Sequence, residues 1–193
     1  MEEKKLTGYA SIDKPWLKYY SEEAINASLP ECTIYEYLWE SNKDYPNDIA
    51  LEYLGSEISY GDLFAHIDEC VRALTALNVK HGDIVTVAMP STPEALYMVY
   101  ALNKMGAVAN MIHPLAGEQE LLHYLNEVNS EVAVIFEGTY KIIADSINTT
   151  SVKKAVVVSA GDSLPFGIKQ LYKMKNKLLL DGQPFRRSSF FML

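Results

Sequence analysis

The stretch LNKMGAVANMIHPLAGEQEL, residues 102–121, decides how this chain is read. It reads as the end of one helix, a strand, a proline-marked turn and the start of another helix. Gly106 is placed to close the first helix in the left-handed conformation, which costs little without a Cβ. Residues 107–112 are a nearly unbroken apolar run, the pattern of a strand covered on both faces. Pro114 has no N–H to offer a sheet ladder, so it stops the strand.

Upstream, the pattern leads into this unit. Thr92-Pro93-Glu94 predicts a helix start, with an N-cap, proline at the first helical position and an acid in the first turn. Before it, residues 80–83 (KHGD) form a turn and residues 84–89 a buried strand that ends at Pro90. Earlier still, Ser59 suits an N-cap with Asp62 three residues on, as in a capping box, and Ile58 and Leu63 can close an apolar staple. Leu63, Phe64, Ile67, Cys70, Val71, Leu74 and Leu77 then recur at helical spacing until Asn78, which tolerates a left-handed end. Residues 49–54 and 57–59 read as two strands of a hairpin joined by Gly55-Ser56, after a turn at residues 45–48. Residues 33–42 predict a helix with Ile34, Tyr37, Leu38 and Ser41 near helical spacing. In the tyrosine-rich beginning, Trp16, Leu17, Tyr20, Ala24 and Ile25 line one side of a short helix with Pro15 near its first turn.

Downstream, the alternation repeats. Residues 118–128 carry Leu121, Leu122, Leu125 and Val128 on one helical face. Residues 132–136 and 155–159 read as strands, 140–147 as a helix, and 164–180 as helical in part. Strands alternating with helices imply an α/β fold, a largely parallel sheet with helices on both faces.

Bulk properties narrow the classes. The 193 residues suit one domain or slightly more. The net charge of −8 argues against a nucleic-acid partner. The charge is uneven, with 9 basic and 23 acidic residues through Thr150 and 8 basic and 2 acidic from Ser151 onward. Cys32 and Cys70 form no CxxC pair, so a reducing cytoplasm fits better than a disulfide framework. The first residues lack the apolar core of a signal peptide, and no run approaches the roughly 20 apolar residues of a membrane span.

Few residues stand out for chemistry. Residues 161–169 (GDSLPFGIK) miss the phosphate-loop spacing and read as a loop before a helix; GxGxxG and GxSxG are absent. His66, His81 and His123 read as solvated or packed. His113 falls where a sheet strand ends, near where open α/β sheets bind ligands, and is the one substrate-pocket candidate, with a structural role as the competing reading. No catalytic residue, cofactor ligand or metal ligand is assigned. Residues 168–177 interleave lysines with Ile168, Leu171, Tyr172 and Met174, which suits a weak peripheral contact with an anionic membrane surface or a phosphate-bearing partner; a solvated helix face is the plainer reading.

Three stretches in order resemble the N-terminal part of the adenylate-forming, AMP-dependent acyl-CoA synthetases. They are YPNDIALEYLGSEISYGDL at 45–63, LNVKHGDIVTVAMPSTPEALYMVYALNKMGAV at 77–108, and NMIHPLAGEQELLHYLNE at 110–127, the last similar to fatty-acid–CoA ligases. The resemblance implies a ligase that uses ATP and Mg²⁺ to turn a carboxylic acid into an acyl adenylate and then transfers the acyl group to coenzyme A. It implies a fatty or other apolar acid as substrate, and residues 1–45 as a helical lead-in to an α/β subdomain at 46–177. The family's Ser/Thr/Gly-rich phosphate loop with its lysine, its later nucleotide-binding motifs and its C-terminal domain are absent, and residues 178–193 form an atypical tail. The expectation is therefore a truncated, frameshifted or cloned fragment with an incomplete version of the fold. Such a chain should be inactive alone, bind no cofactor tightly and self-associate through uncovered apolar surface. The alternative is a non-catalytic binding or assembly module on the same sheet.

Overall fold

A computed structural model describes residues 6–140, 147–159, 161–180 and 190–192. The chain divides into two compact units, Met1–Cys32 and Thr33–Leu193.

In the first unit, the single short helix expected around Pro15 is replaced by three separate turns. These are α1 (Ala10–Asp13), a 3₁₀ turn at Pro15–Tyr19 and α2 (Glu22–Asn26). Lys14 adopts a left-handed conformation ahead of Pro15, and the break prevents one continuous apolar side; Trp16, Tyr20 and Ile25 are exposed.

The second unit begins with α3 (Ile34–Asn42), which carries a complete capping box. Thr33 Oγ1 accepts the Glu36 N–H at 3.1 Å, and the Glu36 carboxylate accepts the Thr33 N–H at 2.7 Å, which lowers the carboxyl's proton affinity. This helix buries Tyr35 and leaves Ile34 and Tyr37 exposed, because Tyr35 faces the end of the helix at Pro93–Lys104.

Strands β1 (Ile49–Tyr53) and β2 (Ser56–Ser59) form an antiparallel hairpin. Its two turn residues are Leu54 and Gly55, one position earlier than the expected Gly55-Ser56, and both have positive φ, 50° and 87°. That pair of left-handed residues matches the twist of a tight hairpin. Helix α4 (Tyr60–Ala76) starts at Ser59, whose hydroxyl accepts the Asp62 N–H at 3.1 Å. The reciprocal half of the expected box is different: Asp62, a methylene shorter than glutamate, accepts the Ser59 hydroxyl at 2.7 Å. Ile58 and Leu63 are both buried in one core, as a staple requires, and Asn78 is left-handed with φ 65°.

The main sheet contains β3 (Ile84–Ala88), β4 (Val108–Met111), β5 (Val132–Phe136), β6 (Lys154–Val158) and β7 (Phe190–Met192), in the spatial order β4-β3-β5-β6-β7 with every neighbouring pair parallel. Between them lie α5 (Pro93–Lys104), α6 (Glu118–Glu127) and a last helix at Phe166–Leu180. Alternate strand residues face two different cores. Val132, Val134 and Val156 pack with Leu63, Ile67, Leu74 and Met98 from α4 and α5. Ala133, Ile135 and Ala155 pack with Leu121 and Leu125 of α6. The sheet therefore carries helices on both faces, as the alternating pattern predicts.

Gly106 closes α5 with φ 68° and a full Schellman pair: its N–H reaches Asn103 O at 3.1 Å, and the Ala107 N–H reaches Leu102 O at 2.9 Å. The expectation of double coverage fails for the strand that follows. β4 lies at the sheet edge, and Val108 and Met111 are 51% and 55% exposed. An apolar run cannot by itself tell a central strand from an uncovered edge. The helix expected at 140–147 lies largely outside the described residues. The last helix starts at Phe166 and extends past residue 177, and β7 sits within the stretch read as a tail.

Candidate functional site

Strand order locates the site. From β3 the chain moves outward to β4, then returns to the other side of β3 with β5, so the direction of winding reverses between β3 and β5. Open α/β sheets bind ligands beyond the carboxyl ends of their strands at such a reversal.

The segments leaving those ends carry a chain of polar contacts. Ser159, just past β6, donates its hydroxyl to Glu137 Oε1 at 3.1 Å, and the Tyr172 phenol donates to the same carboxylate. Ser163 donates to Glu94 Oε1 at 2.5 Å. Glu94 stands in the first turn of α5, where a negative charge complements the helix dipole. Its second oxygen and the Thr92 hydroxyl are buried with no protein hydrogen-bond partner. Thr92 thus occupies the expected N-cap position without making the expected cap bond.

Beside these groups is a cavity of about 560 Å³ between α4, α5, β2 and the loop after β6. Ile58, Met98, Val158 and Leu164 give it an apolar wall, with His66, Glu69, Glu94, Asp162 and Lys169 among its polar lining. His66 stacks on Tyr97 with ring centroids 4.9 Å apart and places Nδ1 3.1 Å from Glu69. Lys169 Nζ donates to the Asp162 carbonyl at 2.7 Å and lies 3.7 Å from its carboxylate. Burial pushes the Tyr97 phenol up to about 12, against the opposing contact with Ser163, and pushes the Cys70 thiol up to about 11. Both stay protonated near neutrality, so neither is an activated nucleophile there.

A second cavity of about 370 Å³, lined by Leu51, Met89, Pro90, Leu96 and Met111 among others, opens at the ends of β3 and β4. Neither cavity has His113 in its lining. His113 is exposed just past β4; its Nδ1 accepts the Leu115 N–H at 3.2 Å and its carbonyl accepts the Ala116 N–H at 2.9 Å. The ring thus supports the turn that carries Pro114. The sequence alone singles out none of Glu137, Ser159 and Ser163, and it places Tyr172 in the lysine-rich helix rather than at this site. The available signal was position: Glu137 and Ser159 directly follow the buried runs of β5 and β6.

The arrangement suits a partly apolar ligand better than a polyphosphate. The two basic groups of the larger cavity, His66 and Lys169, each already have a carboxylate within 3.7 Å. Among the described residues, no group of three or more His, Cys, Asp or Glu side chains is gathered as a metal would need. The described residues of this cavity therefore do not fit ATP with its Mg²⁺.

The chain is an open α/β domain with a candidate ligand region at a winding reversal. The profile of the AMP-binding enzyme family matches residues 38–184, and the chain belongs to that family. It is 24% identical over 165 residues to the long-chain-fatty-acid–CoA ligase of Bacillus subtilis, covering 85% of this chain and 30% of that protein. To the acetyl-coenzyme A synthetase of Helicobacter acinonychis it is 23% identical, covering 94% of this chain and 28% of that one. The chain thus spans less than a third of the length of these curated relatives. Among solved structures, the anthranilate CoA ligase AuaEII in complex with anthranoyl-AMP shares the fold with a TM-score of 0.63 at 21% identity, covering 73% of this chain and 27% of that one.

Proposed function

We propose that this chain is the N-terminal portion of an acid–CoA ligase that uses ATP and Mg²⁺ to form an acyl adenylate and then an acyl-CoA thioester. The acid is a fatty or other apolar carboxylic acid, and this chain alone does not form the adenylate or hold ATP or coenzyme A tightly. The observation that carries the reading is the family match across residues 38–184, in a chain whose larger cavity has an apolar wall and holds its lysine and its histidine beside carboxylates. Adenylate formation develops negative charge at phosphate, which needs positive groups free to meet it.

The free Cys32 and Cys70 support a cytoplasmic setting for the same reading. The uncovered side of β4, with Val108, Met111 and the nearby Leu115 exposed, supports self-association.

ATP–pyrophosphate exchange, run on the full chain with acetate, octanoate, benzoate and palmitate, tests the reading. No exchange is expected with any acid. Sustained exchange would overturn the inactive reading, and the acid supporting it would report the substrate class directly.

A further inference from the structure

The helix Phe166–Leu180 is attached along one side and open along another. The Tyr172 phenol is bound to Glu137, and the Tyr172 ring packs so closely on Gly161 that a Cβ there would lie 2.3 Å from it. Lys169 is bound to the Asp162 carbonyl at 2.7 Å. Away from these anchors, Phe166, Ile168, Leu171 and Met174 are 79%, 49%, 69% and 68% exposed. Isolated exposed apolar side chains are ordinary, but four large ones within nine residues of one helix form a patch.

We propose that this helix docks on a membrane surface carrying anionic headgroups, lying in the plane of the interface with these four side chains among the upper acyl chains. Charge selects this occupant. Besides the anchored Lys169, the helix contains Lys173, Lys175 and Lys177 and no acid, whereas the chain through Thr150 carries 23 acids against 9 basic residues. An anionic surface therefore repels the body and attracts the helix, which sets the orientation of approach. Apolar side chains together with lysines on an otherwise surface helix are the combination that interfacial binding uses. Among the described residues, no helix is long and apolar enough to cross a membrane, so the contact is peripheral. The inference rests on the helix and does not depend on the ligase reading.

Vesicle flotation of the full chain tests it, since aggregates do not float. Phosphatidylcholine vesicles with about one third phosphatidylglycerol should carry the protein upward, and high salt should reduce this. Leu171→Asp combined with Met174→Asp should abolish flotation with an unchanged far-UV spectrum, because both side chains are exposed. Lys173→Gln with Lys177→Gln should weaken it about tenfold or more. No flotation, equal flotation with neutral vesicles, or flotation indifferent to the aspartates would overturn the proposal. So would aspartates that only convert an oligomer to a monomer without lipid, which would make the patch a protein-binding face.

Discussion

The backbone N–H of Tyr35 donates to Oδ1 of Asn103 at 2.8 Å, joining the first turn of α3 to the last turn of α5 across 68 residues of sequence. The contact satisfies one of the N–H groups that a helix start leaves without an internal partner. Lys104 reinforces the junction, with Nζ 2.8 Å from the Tyr35 hydroxyl and 2.5 Å from Asp68. Asn103→Leu keeps the branched side-chain shape, at a larger volume, and strands that donor. The expected loss is about 1–3 kcal/mol, read as a lower urea midpoint with an unchanged slope.

Gly106 is required twice over. Its φ of 68° disfavours any side chain, and a Cβ would meet the His81 ring at 2.3 Å. Gly106→Ala should cost about 1–2 kcal/mol from backbone conformation alone, with the ring clash added. His81→Ala in the same background should recover only the clash, so a double-mutant cycle by urea denaturation separates the two.

Leu54 is the reverse case, an exposed leucine with φ 50° in a tight hairpin turn. Leu54→Asn would create the Asn-Gly pair that this turn favours. A stabilisation of about 0.5–1 kcal/mol is expected from relief of the backbone penalty, visible as a raised melting temperature.

The Cys70 thiol, pushed from 9.0 up to about 11 by burial first and then by Glu69 and Glu94, should resist thiol reagents. At pH 8, a disulfide-exchange reagent should titrate the exposed Cys32 quickly and reach Cys70 only on unfolding, so Cys32→Ser should remove the fast phase. The folded state holds the Cys70 proton more tightly than the unfolded state does. Stability is therefore full below pH 9.0 and declines as pH rises toward about 11, and Tyr97, raised from 10.0 to about 12, extends the decline. Cys70→Val should flatten the first part of that slope in urea midpoints measured across the range.

Local order was legible wherever one residue type answers one backbone need. Gly106, Asn78, Pro114 and the Ile58–Leu63 staple all act as the pattern predicts, because each depends on neighbours a few residues away. Surroundings were harder to read. The apolar run at Val108–Met111 marks a strand but not its place at the sheet edge, which depends on where other strands pair. Ile34 and Tyr37 have helical spacing, yet Asn103 and Lys104 draw Tyr35 inward instead. The polar groups beyond the strand ends were missed for the same reason. Glu94 and Ser163 meet across 69 residues, and no short motif encodes such a meeting.

Among the described residues, the outer side of β4 has no paired strand. A strand with a free side can complete its ladder with another copy of itself before it acquires any other neighbour. The faster this chain is made, the sooner copies meet in that state. Pairing of that kind would make its yield depend on synthesis rate and chaperone supply as well as on its core.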